Sequence, residues 1–367
     1  MTTWQESFWV RLGLPKTDKA EYIEAIKRRY DGHHVDEFEY QGYCSFTLLI
    51  SWPVHSNTID ARTASDDHTP AAIIVQIRPT QHALDIDVAR EANRLYASLA
   101  PEVRCLDIQL PGKLRAYELS RLPGTPLSRL LPHTLMPGTD LKAKQETLIT
   151  SFAHVIAQGW PVQAGKKRRD SVLRVDWPSM EKQGMLLLCT GKVGSCTTQK
   201  LEKLARELPN QWLRDRAMAT LDRICALDDY PVVLNHGDLI PSNILVDEQT
   251  WCITGLVDWA EAEYLPFGTC LYGLEHLLGF VQPASPDSSR LVFVYQNDAT
   301  RLRQLFWTTL ISVVPELEGR REEVQVMRDL GVLLWHGYAW DEGAIDRVVN
   351  EGNDGEELAR LRAYLSI

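Results

Sequence analysis

Apolar and polar positions divide the chain into a sheet-rich first part and a helix-rich second part. Short runs of β-branched and aromatic residues predict strands, which lie at Phe38–Ile50, Ala71–Ile77, Val103–Leu110 and Leu114–Leu119. Apolar residues at helical spacing predict helices at Ala20–Tyr30 and Asp85–Ala100. The polar segment Ser56–Thr69 predicts a surface loop.

The pattern changes after Ser120, where a turn-rich segment, Leu122–Leu127, leads into long stretches with a period near 3.6. These stretches predict helices at Leu141–Trp160, Lys200–Leu208 and Gln211–Leu227, and strand-like pieces return only in Val232–Val257. We therefore expect two lobes, residues 1–120 and residues 121–367, in an α+β protein.

Composition narrows the function classes. The 367 residues include 39 Lys and Arg against 49 Asp and Glu, a net charge of −10, which argues against a nucleic-acid-binding protein. No apolar run is long enough to cross a membrane, and the N-terminus lacks the pattern of a secretory signal, so we expect a cytoplasmic protein. Seven cysteines without a C-x-x-C pair predict free thiols rather than disulfides or a zinc site.

The most informative stretch is Leu234–Val246, in which a polar loop lies between two apolar runs. It presents Asp238 and, five positions later, Asn243, and the apolar run that follows ends at Asp258. Phosphoryl-transfer enzymes use this spacing, because the first carboxylate orients an attacking hydroxyl and the other two groups offer hard oxygen ligands to Mg²⁺. A chance pairing in a plain turn is the alternative.

At these residues the chain resembles the aminoglycoside phosphotransferase and choline-kinase-like family, and most closely its fungal members. The resemblance is strongest over residues 232–279 and includes the run from Asp258 to Gly268. It implies a bilobal protein-kinase-like fold, with a small antiparallel-sheet N-terminal lobe and a larger helical C-terminal lobe. It also implies that Asp238 is the catalytic base, that Asn243 and Asp258 bind Mg²⁺, and that His236 is a structural member of the loop.

The same resemblance assigns the nucleotide-binding residues by their order in the chain. The loop after the first strand, with Gly42 and Ser45, would cover the ATP phosphates, although a plain hairpin turn is also compatible. Arg78 would replace the usual phosphate-binding lysine, with Glu91 as its partner, or it is a surface arginine. The backbone around Glu118 and Ser120 would contact the adenine, without ranking ATP against GTP.

We therefore predict a Mg²⁺-dependent enzyme that moves the γ-phosphoryl group of ATP to a hydroxyl of a small molecule. The alternative is a catalytically silent kinase-like scaffold. The sparse glycines of the loop and the arginine at position 78 favour this alternative. For the acceptor, Trp335 and Trp340 with the acids at 341–342 form either a pocket or a core with a solvated helix end. Glu261 and Glu263 face the site or water, and Cys189–Ser195 resembles a phosphate loop only faintly.

Overall fold

A computed structural model of the chain describes residues 8–9, 13, 16–53, 72–110, 113–131, 139–161, 184–227, 229–341 and 343–367. The chain divides into two compact units, Met1–Leu122 and Pro123–Ile367. Both units mix helices and strands, which confirms the α+β class. In none of the described ranges does a helix have the length and apolar content of a membrane span. The predicted surface loop at residues 56–69 lies outside the described residues.

The first unit contains a five-stranded antiparallel sheet. Its strands are β1 (His34–Glu37), β2 (Phe46–Ser51), β3 (Ala72–Pro79), β4 (Val103–Leu106) and β5 (Leu114–Ser120), in the order β1-β2-β3-β5-β4. Helices α1 (Lys16–Arg29) and α2 (Ile86–Tyr96) accompany the sheet. The Asp85 carboxylate caps α2 by accepting hydrogen bonds from the backbone of its first turn.

The two faces of this sheet are buried against different partners, because side chains alternate along each strand. One face packs against α1, through a cluster that includes Tyr22, Ile26, Leu48, Val75 and Ile77. The other face forms a smaller cluster of Ile74, Tyr117 and Leu119, against which Ile86 of α2 packs.

Two predicted strands of the first unit are shorter in the structure. The run Phe38–Ile50 is interrupted, because Gln41 folds its side chain back onto the backbone of Phe38 and Thr47 and closes a turn between β1 and β2. The run predicted from Val103 ends at Leu106, where the backbone N–H of Ile108 donates to the Leu106 carbonyl and the chain turns.

The second unit is mainly helical. Its helices are α3 (Thr139–Gln158), the one-turn α4 (Gly191–Gly194), α5 (Thr197–Glu207), α6 (Gln211–Cys225), α7 (Tyr272–Leu278), α8 (Ala299–Val313), α9 (Arg321–His336) and α10 (Gly355–Tyr364). Its strands are β6 (Thr125–Pro126), β7 (Val232–Asn235), β8 (Ile244–Val246), β9 (Ile253–Leu256), β10 (Glu263–Pro266), β11 (Gly279–Pro283) and β12 (Leu291–Tyr295).

The strands after residue 257 correct the sequence prediction, which expected helices there. β10 pairs with β7, and β11 pairs with β12 in an antiparallel hairpin. The run Leu291–Tyr295 consists of β-branched and aromatic residues with one leucine, so a local strand pattern was present. The short β10 depends instead on a partner about 30 residues earlier in the chain.

Two small sheets hold the polar loops of the second unit. β8 lies between β6 and β9, and β7 pairs with β10. The loop from His236 to Asn243 therefore connects strands of two different sheets, and the segment from Val257 to Glu261 leaves β9 directly beside it.

Candidate active site

Asn235, the last residue of β7, fixes the start of the polar loop. Its side-chain amide donates to the carbonyls of Val233 and Leu265, at 3.0 and 2.9 Å, and its oxygen accepts from the backbone N–H of Cys270. The next turn needs glycine, because Gly237 has a φ of +76° and a Cβ there would lie 1.8 Å from the carbonyl oxygen of Glu261. The loop is thus pressed against the segment that follows β9.

His236 connects these two segments through hydrogen bonds of its neutral imidazole. Its Nδ1 accepts from the backbone N–H of Asp238 (3.3 Å), so its Nε2 carries the proton and donates to the carbonyl of Val257 (3.0 Å). Burial lowers the pKa of His236 to about 4, with the nearby Asp258 charge opposing this effect. The imidazole therefore stays uncharged near neutral pH, which fits the structural role inferred from the resemblance.

The two polar side chains five residues apart, Asp238 and Asn243, are in direct contact. The Asn243 amide donates to one carboxylate oxygen of Asp238 (2.8 Å) and to its backbone carbonyl (2.9 Å). The other carboxylate oxygen, Oδ1, is buried and accepts no hydrogen bond from any described residue. An orphaned buried oxygen of this kind is suited to receive a proton from a bound hydroxyl.

Asp258 is held beside this pair in a strained conformation. The backbone N–H of Val257 donates to the Asn243 carbonyl (3.0 Å), and Asp258 itself has a φ of +63°, which is rare for a residue other than glycine. The single-turn helix Trp259–Glu261 follows at once, and the Trp259 indole N–H donates to the Leu256 carbonyl (3.0 Å). The structure thus brings the predicted trio of Asp238, Asn243 and Asp258 together.

Electrostatic repulsion is concentrated at Asp238. Burial and then the Asp258 charge raise the pKa of the Asp238 carboxyl to about 7, the Asn243 hydrogen bond opposes this rise, and Glu261 adds to it. A bound cation would relieve the repulsion between the two aspartates. The negative charge of the site therefore favours binding of a cation.

The donor set fits Mg²⁺ bound together with phosphate. Asn243 offers a carboxamide oxygen and Asp258 a carboxylate, and Mg²⁺ usually takes one or two such protein ligands with substrate phosphates and waters. No three His, Cys, Asp or Glu side chains of the described residues, those of this site included, group closely enough to hold a metal ion by themselves.

In the first unit, Gly42 and Ser45 lie in the turn that Gln41 holds between β1 and β2. Ser45 is buried, and its hydroxyl lies 3.4 Å from that of Thr47. Gly42 has an ordinary negative φ, and a Cβ there would meet the Ser45 hydroxyl at 3.4 Å. Sequence reasoning did not identify Gln41, whose role depends on contacts across the turn.

Arg78 lies within β3 and is almost fully buried, at 1% exposure, so the surface alternative is wrong. Its guanidinium donates to the side chain of Gln76 at 3.0 Å and contacts the carbonyl of His82 at 3.5 Å, among other interactions. The expected partner Glu91 instead accepts two hydrogen bonds from Arg94, one turn further along α2. The i,i+3 spacing within one helix favours this local pair.

Glu118 and Ser120 both lie in β5, and their side chains are already engaged. The Glu118 carboxylate accepts from Arg104 and from the Tyr30 hydroxyl. Burial, and then this contact with Glu118, raises the pKa of Tyr30. The Ser120 hydroxyl accepts from the backbone N–H of Glu102 at 2.9 Å. Any contact with a base at these positions would therefore come from backbone groups.

The segment Cys189–Ser195, which faintly resembles a phosphate loop, binds the side chain of Glu263. Val193 and Gly194 donate backbone N–H groups to the buried carboxylate of Glu263, at 2.8 to 3.0 Å. Gly191 has a φ of +103°, and a Cβ there would lie 2.3 Å from the Glu263 carboxyl carbon. This segment is therefore a connection that binds the chain's own carboxylate, and Glu263 does not face water.

The two tryptophans considered for the acceptor pocket differ in their surroundings. Trp335 lies near the end of α9 and stacks on Tyr272, with ring centroids 5.1 Å apart and planes at 7°. Trp340 is 47% exposed, and Asp341 pairs with Arg347 at 2.9 Å. Residue 342 lies outside the described residues.

Comparisons with known proteins identify a family and several similar proteins. The model of the phosphotransferase enzyme family matches residues 56–269, more than half of the chain. An aminoglycoside 3'-phosphotransferase of Streptomyces ribosidificus is 42% identical over 53 residues, which are 14% of this chain and 20% of that protein. The chain thus spans about one fifth of that curated relative.

Solved structures of similar proteins cover most of the chain at low identity. A probable aminoglycoside phosphotransferase of Ralstonia eutropha is 12% identical over 95% of this chain and 98% of its own, with a TM-score of 0.47. A type I macrolide 2'-phosphotransferase is 16% identical over 96% and 98%, with a TM-score of 0.46. The family-model match, which includes Asp238, Asn243 and Asp258, shows that the chain belongs to the phosphotransferase enzyme family.

Proposed function

We propose that this protein transfers the γ-phosphoryl group of ATP to a hydroxyl group of a small molecule, in a Mg²⁺-dependent reaction. The observation that carries the proposal is the unpartnered, buried oxygen of Asp238, held in place by Asn243 and lying beside Asp258. Family membership supports phosphoryl transfer as the class of reaction.

Asp238 orients the acceptor and takes its proton. Its Oδ2 is fixed by the Asn243 amide, so its Oδ1 is left to accept a hydrogen bond from the acceptor hydroxyl. A carboxyl with a pKa raised to about 7 is a better proton acceptor than an ordinary aspartate, while it is still ionised in a good fraction of molecules at neutral pH. Bound positive charge shifts it further toward the ionised form.

Asn243 and Asp258 hold the metal. When bound, Mg²⁺ neutralises the phosphate oxygens and stabilises the charge that develops during transfer. His236 contributes no proton, because it is neutral and both of its nitrogens are bonded within the two loops. Gly42, Ser45, Arg78, Glu118 and Ser120 remain our predictions for nucleotide contacts in the first unit, whereas Glu91 was predicted only to hold Arg78 and pairs with Arg94.

The test is acceptor-dependent release of ADP from Mg·ATP, measured with a panel of alcohols and amino alcohols. We expect at least one acceptor to stimulate release, and we expect Asp238→Asn to reduce kcat by at least a thousandfold. Asp287→Asn serves as the matched control, because Asp287 is an exposed aspartate in the turn between β11 and β12. Near-normal rates in Asp238→Asn would show that the assignment of the base is wrong.

A further inference from the structure

A buried hydroxyl group holds the residue that follows Asp238. The phenol oxygen of Tyr272, the first residue of α7, accepts the backbone N–H of Leu239 at 3.0 Å. Both residues are buried, so this N–H has no water to bond and depends on the tyrosine for a partner. No sequence motif identified Tyr272, which lies 33 residues after the N–H that it accepts.

The other polar atom of Leu239 also faces α7. A Cβ at Gly273 would lie 2.6 Å from the Leu239 carbonyl oxygen, so the backbone of the helix approaches that carbonyl more closely than any larger residue permits. Leu239 is therefore bonded through its N–H to Tyr272 and packed through its C=O against Gly273, two consecutive residues of one helix.

Tyr272 has little freedom to move away from this contact. Its ring is stacked on Trp335 and meets the rings of His276 and His336 edge-on, with centroids 6.3 Å away in each case. Such packing determines where the hydroxyl lies, because a phenol oxygen is rigidly attached to its ring. Burial raises the pKa of Tyr272 and the Asp238 charge adds to this rise, as expected for groups that are close in space.

We propose that Tyr272 is a positioning residue for phosphoryl transfer: by holding the N–H of Leu239, its hydroxyl fixes the backbone on the C-terminal side of Asp238. The N-terminal side is held by His236, which accepts the N–H of Asp238 itself. Asp238 thus lies between two side-chain anchors, and loss of either lets its carboxylate leave the orientation that the acceptor hydroxyl requires. This inference rests on the proposed function.

The test compares Tyr272→Phe with Tyr338→Phe. Tyr272→Phe keeps the ring and its stack on Trp335 and removes only the oxygen that Leu239 needs. Tyr338→Phe is a matched control, because it also removes a buried tyrosine hydroxyl that bonds to backbone, here the Lys200 carbonyl at 2.8 Å. Amide hydrogen exchange of the free protein reports on Leu239, and ADP release from Mg·ATP, with water as the acceptor, reports on turnover.

In Tyr272→Phe we expect the Leu239 amide to exchange at least tenfold faster than in the unaltered protein. We also expect kcat to fall about tenfold, with the KM for ATP within twofold, since Asn243 and Asp258 are untouched. In Tyr338→Phe the Leu239 exchange rate and kcat should both stay unchanged. A merely structural role for Tyr272 would not lower kcat while leaving KM and the melting temperature close to normal.

Unchanged Leu239 exchange in Tyr272→Phe would overturn the proposal, and so would faster exchange with an unchanged kcat. If the unaltered protein releases no ADP with water or with any alcohol, the proposed function fails. The exchange rates then still decide whether Tyr272 holds Leu239, so the two failures are distinguishable.

Discussion

At the scale of single residues, the site stores unfavourable electrostatic energy at Asp238. Its carboxylate is buried beside Asp258, one oxygen lacks a partner, and its pKa is raised to about 7. The folded protein therefore keeps a proton that the unfolded chain releases near its ordinary value of about 3.9. An acid whose pKa is raised on folding destabilises the folded state increasingly as the pH rises from about 4 to about 7, and the penalty then stays constant.

This reasoning predicts that Asp238→Asn stabilises the metal-free protein. Asn keeps an oxygen for the Asn243 amide and removes the buried charge. We expect its melting temperature in the presence of a chelator to exceed that of the unaltered protein, and by roughly 1–2 °C more at pH 8 than at pH 6, which corresponds to about 1 kcal/mol. Thermal unfolding of both proteins, followed by circular dichroism at both pH values, tests this difference in melting temperature.

Asp287→Asn again provides the comparison, because it removes an exposed carboxylate of the same kind. Its melting temperature should not respond to pH differently from that of the unaltered protein. A gain for Asp238→Asn that is equal at the two pH values would contradict the buried charge as its source.

The residues that sequence analysis identified best are those whose roles depend on short spacing. Asp238 and Asn243 are five residues apart in one loop, and their contact follows from local chain geometry. Tyr272 escaped notice because a tyrosine at the start of a helix is ordinary, and its importance depends on a loop 33 residues earlier. The pairing of Arg78 with Glu91 was inferred only from their order along the chain. In the structure the Glu91 carboxylate accepts from Arg94, which is nearer in sequence.

At the scale of elements, α7 packs between the polar loop and α9. Gly273 of α7 lies against Leu239, and Gly331 of α9 lies against the turn that precedes α7, where a Cβ would be only 1.7 Å from the Thr269 carbonyl oxygen. The approach of α9 to this turn therefore requires a residue without a side chain.

We predict that Gly331→Ala destabilises the protein, although alanine is the better helix former. The clash with backbone forces the helix and the turn apart, at a cost of about 2–3 kcal/mol, or a melting temperature roughly 3–4 °C lower. Gly319→Ala is the control, because nothing lies within 4 Å of its Cβ position and its φ is not positive. Equal melting temperatures for the two variants would contradict the close packing of α9 on this turn.

Element prediction succeeded where a periodic pattern is long. The helices predicted at Leu141–Trp160 and Gln211–Leu227 are present with ends displaced by a few residues, as α3 and α6. It failed for β10 and for the β11–β12 hairpin, which follow the polar loops. β10 has only four residues and begins with the buried Glu263, so its pairing with β7 decides its conformation rather than its own composition.

At the scale of the molecule, a buried ion network joins the helices of the second unit. Glu275 of α7 pairs with Arg303 of α8 (2.7 Å) and with Arg328 of α9 (3.3 Å), and Arg328 donates to the Tyr364 carbonyl of α10. Charges this deeply buried fix relative positions because misplacing one partner leaves the other unpaired. The network thus secures α7, the helix that carries Tyr272.

The central claim is that Asn243 and Asp258 bind a magnesium ion shared with the ATP phosphates, beside Asp238. The most direct measurement is calorimetric titration of ATP, with and without Mg²⁺, into the unaltered protein, Asn243→Ala, Asp258→Asn and the control Asp287→Asn. We predict that Mg²⁺ tightens ATP binding at least tenfold in the unaltered protein and the control, and less than twofold in the other two variants. A full Mg²⁺ effect that persists in Asn243→Ala and Asp258→Asn would contradict the account.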